Sequence, residues 1–281
     1  MSRFVIFICG ALLLSNIAMA DEKAHIQDIK LTYKAYWAGF VISEVHSRGV
    51  ITPDSYQVDV SYKVTGLAAI FSSMKNRVSA RGIFAADGSV RPLVFDNQGS
   101  WSHYGFTNHT EFRLEDSKII SHKYTANFKR KVKYIPVREE LAYGPDMVSF
   151  YLGLTLDEEK MKIGAPERHQ NIFGGFFLLD ISYRCIANKT LKSKRSVYKG
   201  KALVCEFHDK IIDGGFERIK KKKSRKKKKH RKKKNTDTME PVPLQVWYGR
   251  IGGVDHMVPV YSEFPFGWGK VRVYLSKIEV N

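Results

Sequence analysis

The stretch Tyr56–Gly66, YQVDVSYKVTG, decides the fold class. Tyr56, Val58, Val60, Tyr62 and Val64 share one parity, while Gln57, Asp59, Ser61 and Lys63 share the other. Successive side chains of a strand point to opposite faces, so this alternation reads as a half-buried β-strand. The turn TPDS, Thr52 to Ser55, introduces it. Upstream, IKLTYKAYWAGFVISEVHSRGVI alternates through Ile29, Leu31 and Tyr33 and slips phase at Ala38-Gly39, the mark of a bulge or a short turn between strands. Downstream, RVSARGIFAADGSVRPLVFDN is a hairpin by its ADG turn, with Pro92 restricted to an edge or a strand end. Further strand pairs follow on either side of EDSK, and again in PLQVWYGRI, DHMVPVYSEF and GKVRVYLSKIEV. One segment breaks the rhythm. In GPDMVSFYLGLTLDEEKM, Pro145-Asp146 can open a helix whose apolar residues are Met147, Val148, Tyr151, Leu152 and Leu154, and a second short helix fits Leu67 to Met74. The expectation is a mostly β protein: a single curved antiparallel sheet, half-barrel or spiral, with one or two short helices. A sheet of this many strands does not stay flat. Its concave face, with Tyr56, Val58, Val60, Tyr62 and Val64 as contributors, would be either a cavity or a filled core.

The chain has 281 residues. It opens with MSRFVIFICGALLLSNIAMADEK: a positive Arg3, an apolar run from Phe4 to Leu14, and the small-x-small site Ala18-Met19-Ala20. This reads as a secretory signal peptide over residues 1–20, cut after Ala20, and places the product in the periplasm. Cys9 falls within the discarded segment. Residues 21–281 are expected to form one soluble β domain, since all-β folds of roughly 200 to 250 residues routinely form a single unit.

Two cysteines remain, Cys185 and Cys205, in strand-like runs joined by the polar link KSKRS. In an exported chain an even count reads as a disulfide. A hairpin centred near Arg195 sets the two opposite each other, within bridging distance. Such a bond would contribute on the order of 3 kcal/mol. There is no C-x-x-C spacing to suggest a redox pair.

The formal net charge is +19, and it is local. Lys220 to Lys234 holds 13 of the 47 Lys and Arg residues; the other 34 exceed the 28 acidic ones by only six. A run of like charges without an apolar face reads as a disordered loop, here over residues 219–240. Lys221, Lys222, Lys223, Arg225, Lys226, Lys227, Arg231 and Lys232 are the residues it would offer to an anionic membrane surface or lipopolysaccharide. Each cation near such a surface adds up to about 1 kcal/mol. Nucleic acid is not the expected partner: no aromatic residues interleave with the lysines for base stacking.

A search for chemistry finds no Gly-x-Ser-x-Gly elbow, phosphate-cradling glycine loop or dinucleotide fingerprint. The nine histidines lack ligand-like spacings, so no metal and no cofactor are expected. In HDK at His208 and VDH at Asp255, acid and histidine are adjacent on a strand and point to opposite faces. The reading is of a protein that is not an enzyme.

YKAYWAGFVISE, RGIFAADGSVRPLVF, PDMVSFYL, YKGKALVCEF, VWY and MVPVYSEFPFGWGKVRVYLSKIE resemble domain-of-unknown-function family 3108, exported bacterial proteins of alphaproteobacterial type. The resemblance implies a periplasmic, β-rich envelope protein of unassigned activity. Its curved sheet would be similar to that of lipoprotein carriers or envelope-integrity proteins. It supplies no catalytic residues; Pro145, Asp146, Trp247 and Pro259 are architectural matches, and the lysine insert departs from the pattern. The function expected is non-enzymatic support of the envelope, with a lipid, lipoprotein or peptide in the concave face. The alternatives are a periplasmic hydrolase with an unrecognised site, or a lipopolysaccharide or anionic-surface binder acting through the lysine run.

Overall fold

The first hairpin shows how local sequence sets the sheet. Strand β1 (Gln27–Trp37) turns into β2 (Phe40–Ile51) through Ala38 and Gly39, at φ 48° and 90°. Two positive φ values in a two-residue loop match the right-handed twist of the flanking strands. The phase slip in the sequence is therefore a turn. Each following strand pairs antiparallel with its predecessor: β3 (Ser55–Val64), β4 (Met74–Phe84), β5 (Val90–Trp101), β6 (Tyr104–Phe112) and β7 (Ile119–Ala126). On the other side of β1 lies β14 (Gly269–Val280), then β13 (Val258–Phe266), β12 (Leu244–Gly249), β11 (Gly200–Arg218), β10 (Phe177–Leu191) and β9 (Arg168–Phe173). The short β8 (Val132–Ile135) pairs with the far end of β11. The result is one large curved antiparallel sheet, and its end strands β7 and β9 are not laddered to each other.

The computed structural model describes residues 26–66, 69, 73–101, 104–127, 132–218, 242–266 and 269–281. Residues 1–20, read as a signal peptide with Ala18 and Ala20 at its cleavage site, the basic segment 219–240, and most of the helix expected from Leu67 lie outside the described residues; Met74, expected in that helix, begins β4 instead. Pro92 sits near the start of β5, opposite a bulge at Arg81/Gly82 and before pairing with β6 begins at Val94.

A short segment bridges the gap between the sheet ends. Ala142 O accepts from Ile119 N at 2.9 Å and Ser117 O from Gly144 N at 3.2 Å, which ties the segment to the start of β7. At the next residue, Pro145 O accepts from Phe173 N at 2.8 Å, which ties it to the end of β9. Gly144 has φ 114°, and a Cβ there would lie 2.2 Å from Asn171 O. Only glycine fits this seam.

The seam leads into the helix α1 (Met147–Leu156). Asp146 caps it, accepting from Val148 N at 2.9 Å and Ser149 N at 3.0 Å. The helix is apolar nearly all round, which suits an element enclosed by the sheet. Its buried positions are Ser149, Phe150, Leu152, Leu154 and Thr155, whereas Met147, expected on the helix's apolar face, is exposed. The difference follows from enclosure: walls on several sides select residues by position in the hollow rather than by one stripe. Phe150 meets Tyr183 and Tyr151 meets Phe207 at centroid distances of 5.8 and 5.6 Å. Tyr56 is buried against Phe84 and is part of the filled core, while Val58, Val60, Tyr62 and Val64 stay half-buried.

Cys185 and Cys205 are joined, with Cα atoms 3.9 Å apart. The pairing depends on a bulge. From Leu191↔Gly200 down to Ala187↔Val204 the ladder keeps a register that would set Cys185 opposite Glu206. Skipping Ile186 shifts the register by one and brings Cys185 opposite Cys205.

Candidate ligand cleft on the concave face

Alternation along β12 turns Leu244, Val246 and Tyr248 to the interior, where α1 presents Met147 and Tyr151 across a gap. Tyr33 of β1, Pro259 and Tyr261 of β13, and Asp209 of β11 complete a cleft of ≈ 680 Å³ whose walls are chiefly apolar. Its size is that of a small-molecule site. Val242, exposed at the rim, precedes β12.

The polar groups on its wall are mostly engaged. The Tyr33 hydroxyl donates to Pro259 O at 3.0 Å, and the Tyr261 hydroxyl to Glu263 Oε2 at 2.9 Å. Tyr248 differs. It is 1% exposed and its hydroxyl has no hydrogen-bond partner. Burial, with Tyr151, Tyr33 and Tyr183 close by, holds its phenol well above the ordinary value, so it stays a neutral donor. An unsatisfied buried hydroxyl costs on the order of 1–3 kcal/mol; this one is closed to solvent, so an acceptor in the cleft recovers that energy only by displacing the side chains that cover it. Asp209 sets the charge preference: burial and the Asp209 carboxylate push Tyr151 up to about 12. A neutral carbonyl suits this wall better than an anion.

Of the residues read from the sequence, Cys185 and Cys205 are bonded in the core behind the cleft. Trp247 packs edge-on against Tyr261 at 5.1 Å, Pro259 anchors Tyr33, and Pro145 and Asp146 build the seam and the helix cap. The basic residues Lys221 to Lys232 lie outside the described residues. Two polar clusters were not visible in the sequence. His109 stands between Asp96 Oδ1 at 2.7 Å and Glu111 Oε1 at 3.3 Å, and these carboxylates raise its pKa. Finding it needed the β5–β6 register that sets Asp96 opposite His109. The second is Asp146, Ser149 and Tyr56: Ser149 Oγ donates to Asp146 Oδ2, and the Tyr56 hydroxyl lies 2.6 Å from Ser149 Oγ. Asp146 and Ser149 are 0% exposed, so no substrate reaches them. Among the described residues no three His, Cys, Asp or Glu side chains gather as a metal site, and no helix is long and apolar enough to cross a membrane.

No family model matches the chain, so the resemblance to family 3108 rests on the quoted residues alone, and no curated protein matches it. Among solved structures the chain is similar to a β-barrel-like protein of domain of unknown function DUF1849 from Brucella abortus. The two share 9% sequence identity over 92% of this chain and 99% of that one, with a TM-score of 0.44.

Proposed function

We propose that this is a periplasmic envelope protein of the family-3108 kind that holds an acyl chain, from a lipid or a lipoprotein, in the cleft between α1 and β12–β13, and performs no chemistry on it. The observation that carries the reading is the pairing of an apolar hollow of ≈ 680 Å³ with one fully buried, unpartnered donor, Tyr248. Apolar walls gain about 25 cal/mol per Å² of chain surface removed from water. The tyrosine then orients the ester or amide carbonyl that joins the chain to its headgroup. Asp209 at the wall disfavours a free fatty-acid carboxylate. Export follows from the signal-peptide reading of residues 1–20.

A second reading, attachment to lipopolysaccharide or anionic lipid through the basic segment, draws on its 13 cations and on the return of the chain at Val242, on the cleft rim. It is compatible with the first.

The test is native mass spectrometry of protein released gently from the periplasm of a Gram-negative host carrying the full precursor. An added mass of an esterified or amidated acyl species is expected, and it should fall at least tenfold in occupancy in Leu244→Trp and Val242→Trp, which fill the cleft from its wall and its rim. Bare protein, a bound peptide, or equal lipid occupancy in wild type and both variants refutes the reading.

A further inference from the structure

We infer a second binding site, on the opposite face of the sheet, for an anionic glycan. The face bearing Gln57, Asp59, Ser61 and Lys63 is not a featureless solvated surface. It carries a groove of ≈ 950 Å³ over β2 to β7, which runs on into another of ≈ 920 Å³ toward β1 and β14. The two share Glu44, His46, Ser61 and Arg77.

Charge is distributed unevenly along this trough. Toward β1 the cations are partly neutralised: Arg48 binds Asp28 bidentately at 2.9 and 2.8 Å and Lys277 pairs with Glu279, while Lys30 and Lys34 have no ion-pair partner within 4.0 Å among the described residues. Toward β4 none is neutralised. Lys63 and Lys75 are direct cross-strand partners, and Arg77 follows one same-face position along β4, opposite Ser61. None of these three has an ion-pair partner within 4.0 Å among the described residues. Glu44, across β2 from Lys63, turns instead to His46 Nε2 at 3.5 Å. Like charges set directly opposite each other destabilise a sheet. The arrangement works against the fold and is relieved by an anion bound between the strands.

The rest of the groove identifies the kind of anion. Beyond the cations, the same face continues through Gln98 and Ser100 of β5 to Thr107 of β6 and Thr125 of β7. This is a row of hydroxyls and an amide, able both to donate and to accept. Sugar hydroxyls match such a row; a carboxylate or phosphate substituent matches Lys63, Lys75 and Arg77. A trough several strands wide suits a short oligosaccharide rather than a single ion.

Lysine acetylation footprinting of the full chain, read site by site by mass spectrometry, separates this groove from the 13-cation segment. Tetragalacturonate is the acidic probe, maltotetraose the neutral control, and phosphatidylglycerol vesicles the membrane control. Tetragalacturonate is expected to slow modification of Lys63 and Lys75 at least threefold, with no effect of maltotetraose. Lys63→Gln/Lys75→Gln/Arg77→Gln should bind the probe at least fivefold more weakly than wild type and unfold at the same or a higher temperature. Protection confined to Lys220–Lys234, protection of Lys63 and Lys75 by vesicles but not by the oligosaccharide, or unchanged affinity in the triple variant overturns the inference.

Discussion

Asp146 caps a helix with its carboxylate, yet the same carboxylate is cut off from water. Burial pushes its pKa up to about 6, against the pull of donors from Ser149 and Val148. A carboxyl whose folded pKa lies above its unfolded value of 3.8 binds more protons folded than unfolded between the two. Its ionisation therefore costs stability, fully so above pH 6, and the cost is relieved as pH falls toward 4. The whole shift corresponds to about 3 kcal/mol. Asp116 and Glu263, both held at about 2 by basic partners, act in the opposite sense at lower pH, where their protonation removes stability. The effect is isolated by comparing wild type with Asp146→Asn, since asparagine also caps helices well. Chemical denaturation across pH 4.5 to 7.5 should show wild type gaining about 2 kcal/mol on the variant as pH falls. A pH-independent difference would mean that Asp146 is ionised throughout that range.

At the scale of elements, the vulnerable point is the seam. The ladder runs from β7 to β9 without closing, and residues 142–146 span the opening with hydrogen bonds to each side. Gly144→Ala meets both obstacles, a positive φ and a backbone oxygen 2.2 Å from the new Cβ. It should destabilise the protein by about 2–4 kcal/mol. Hydrogen exchange should show loss of protection at the amides of Ile119 and Phe173 before β1 or β14 open. Unchanged exchange at these two amides would show that the seam does not hold the sheet ends. Nothing in GPDM marks Gly144 as unlike any helix-preceding glycine, because its constraint comes from Asn171, 27 residues away. The strands were legible, since a two-residue period is written locally; so was the Cys185–Cys205 bond, although the Ile186 bulge that permits it was not. The cleft could not be read in this way. Its walls come from β1, α1, β11, β12 and β13, and Tyr248 looks like any strand tyrosine until its hydroxyl is found without a partner. Likewise Lys63 reads as a wet-face lysine, and only register sets Lys75 beside it.

For the whole molecule, the question is whether its charge belongs to the fold or to one connection within it. The basic segment joins β11 to β12, neighbours in the sheet, so the fold needs a link there but not those side chains. The link must also be long. Leu244 pairs with Phe207, while β11 continues 11 residues further to Arg218, about 36 Å at 3.3 Å per residue. Removing Lys220 to Lys234 would leave ten residues, whose full extension reaches about 35 Å, so a deletion would test span rather than charge. Replacing the 13 Lys and Arg of this run with Ser and Gln at constant length isolates the electrostatics. Thermal unfolding should stay within about 2 °C of wild type or rise slightly as self-repulsion is lost. Adsorption to phosphatidylglycerol vesicles at low salt should fall at least tenfold, and wild-type adsorption should itself weaken steeply toward 0.5 M salt, as screening shortens the reach of each charge. Equal adsorption of the two proteins would assign surface attraction to the sheet, and a large loss of thermal stability would make the lysines part of the fold.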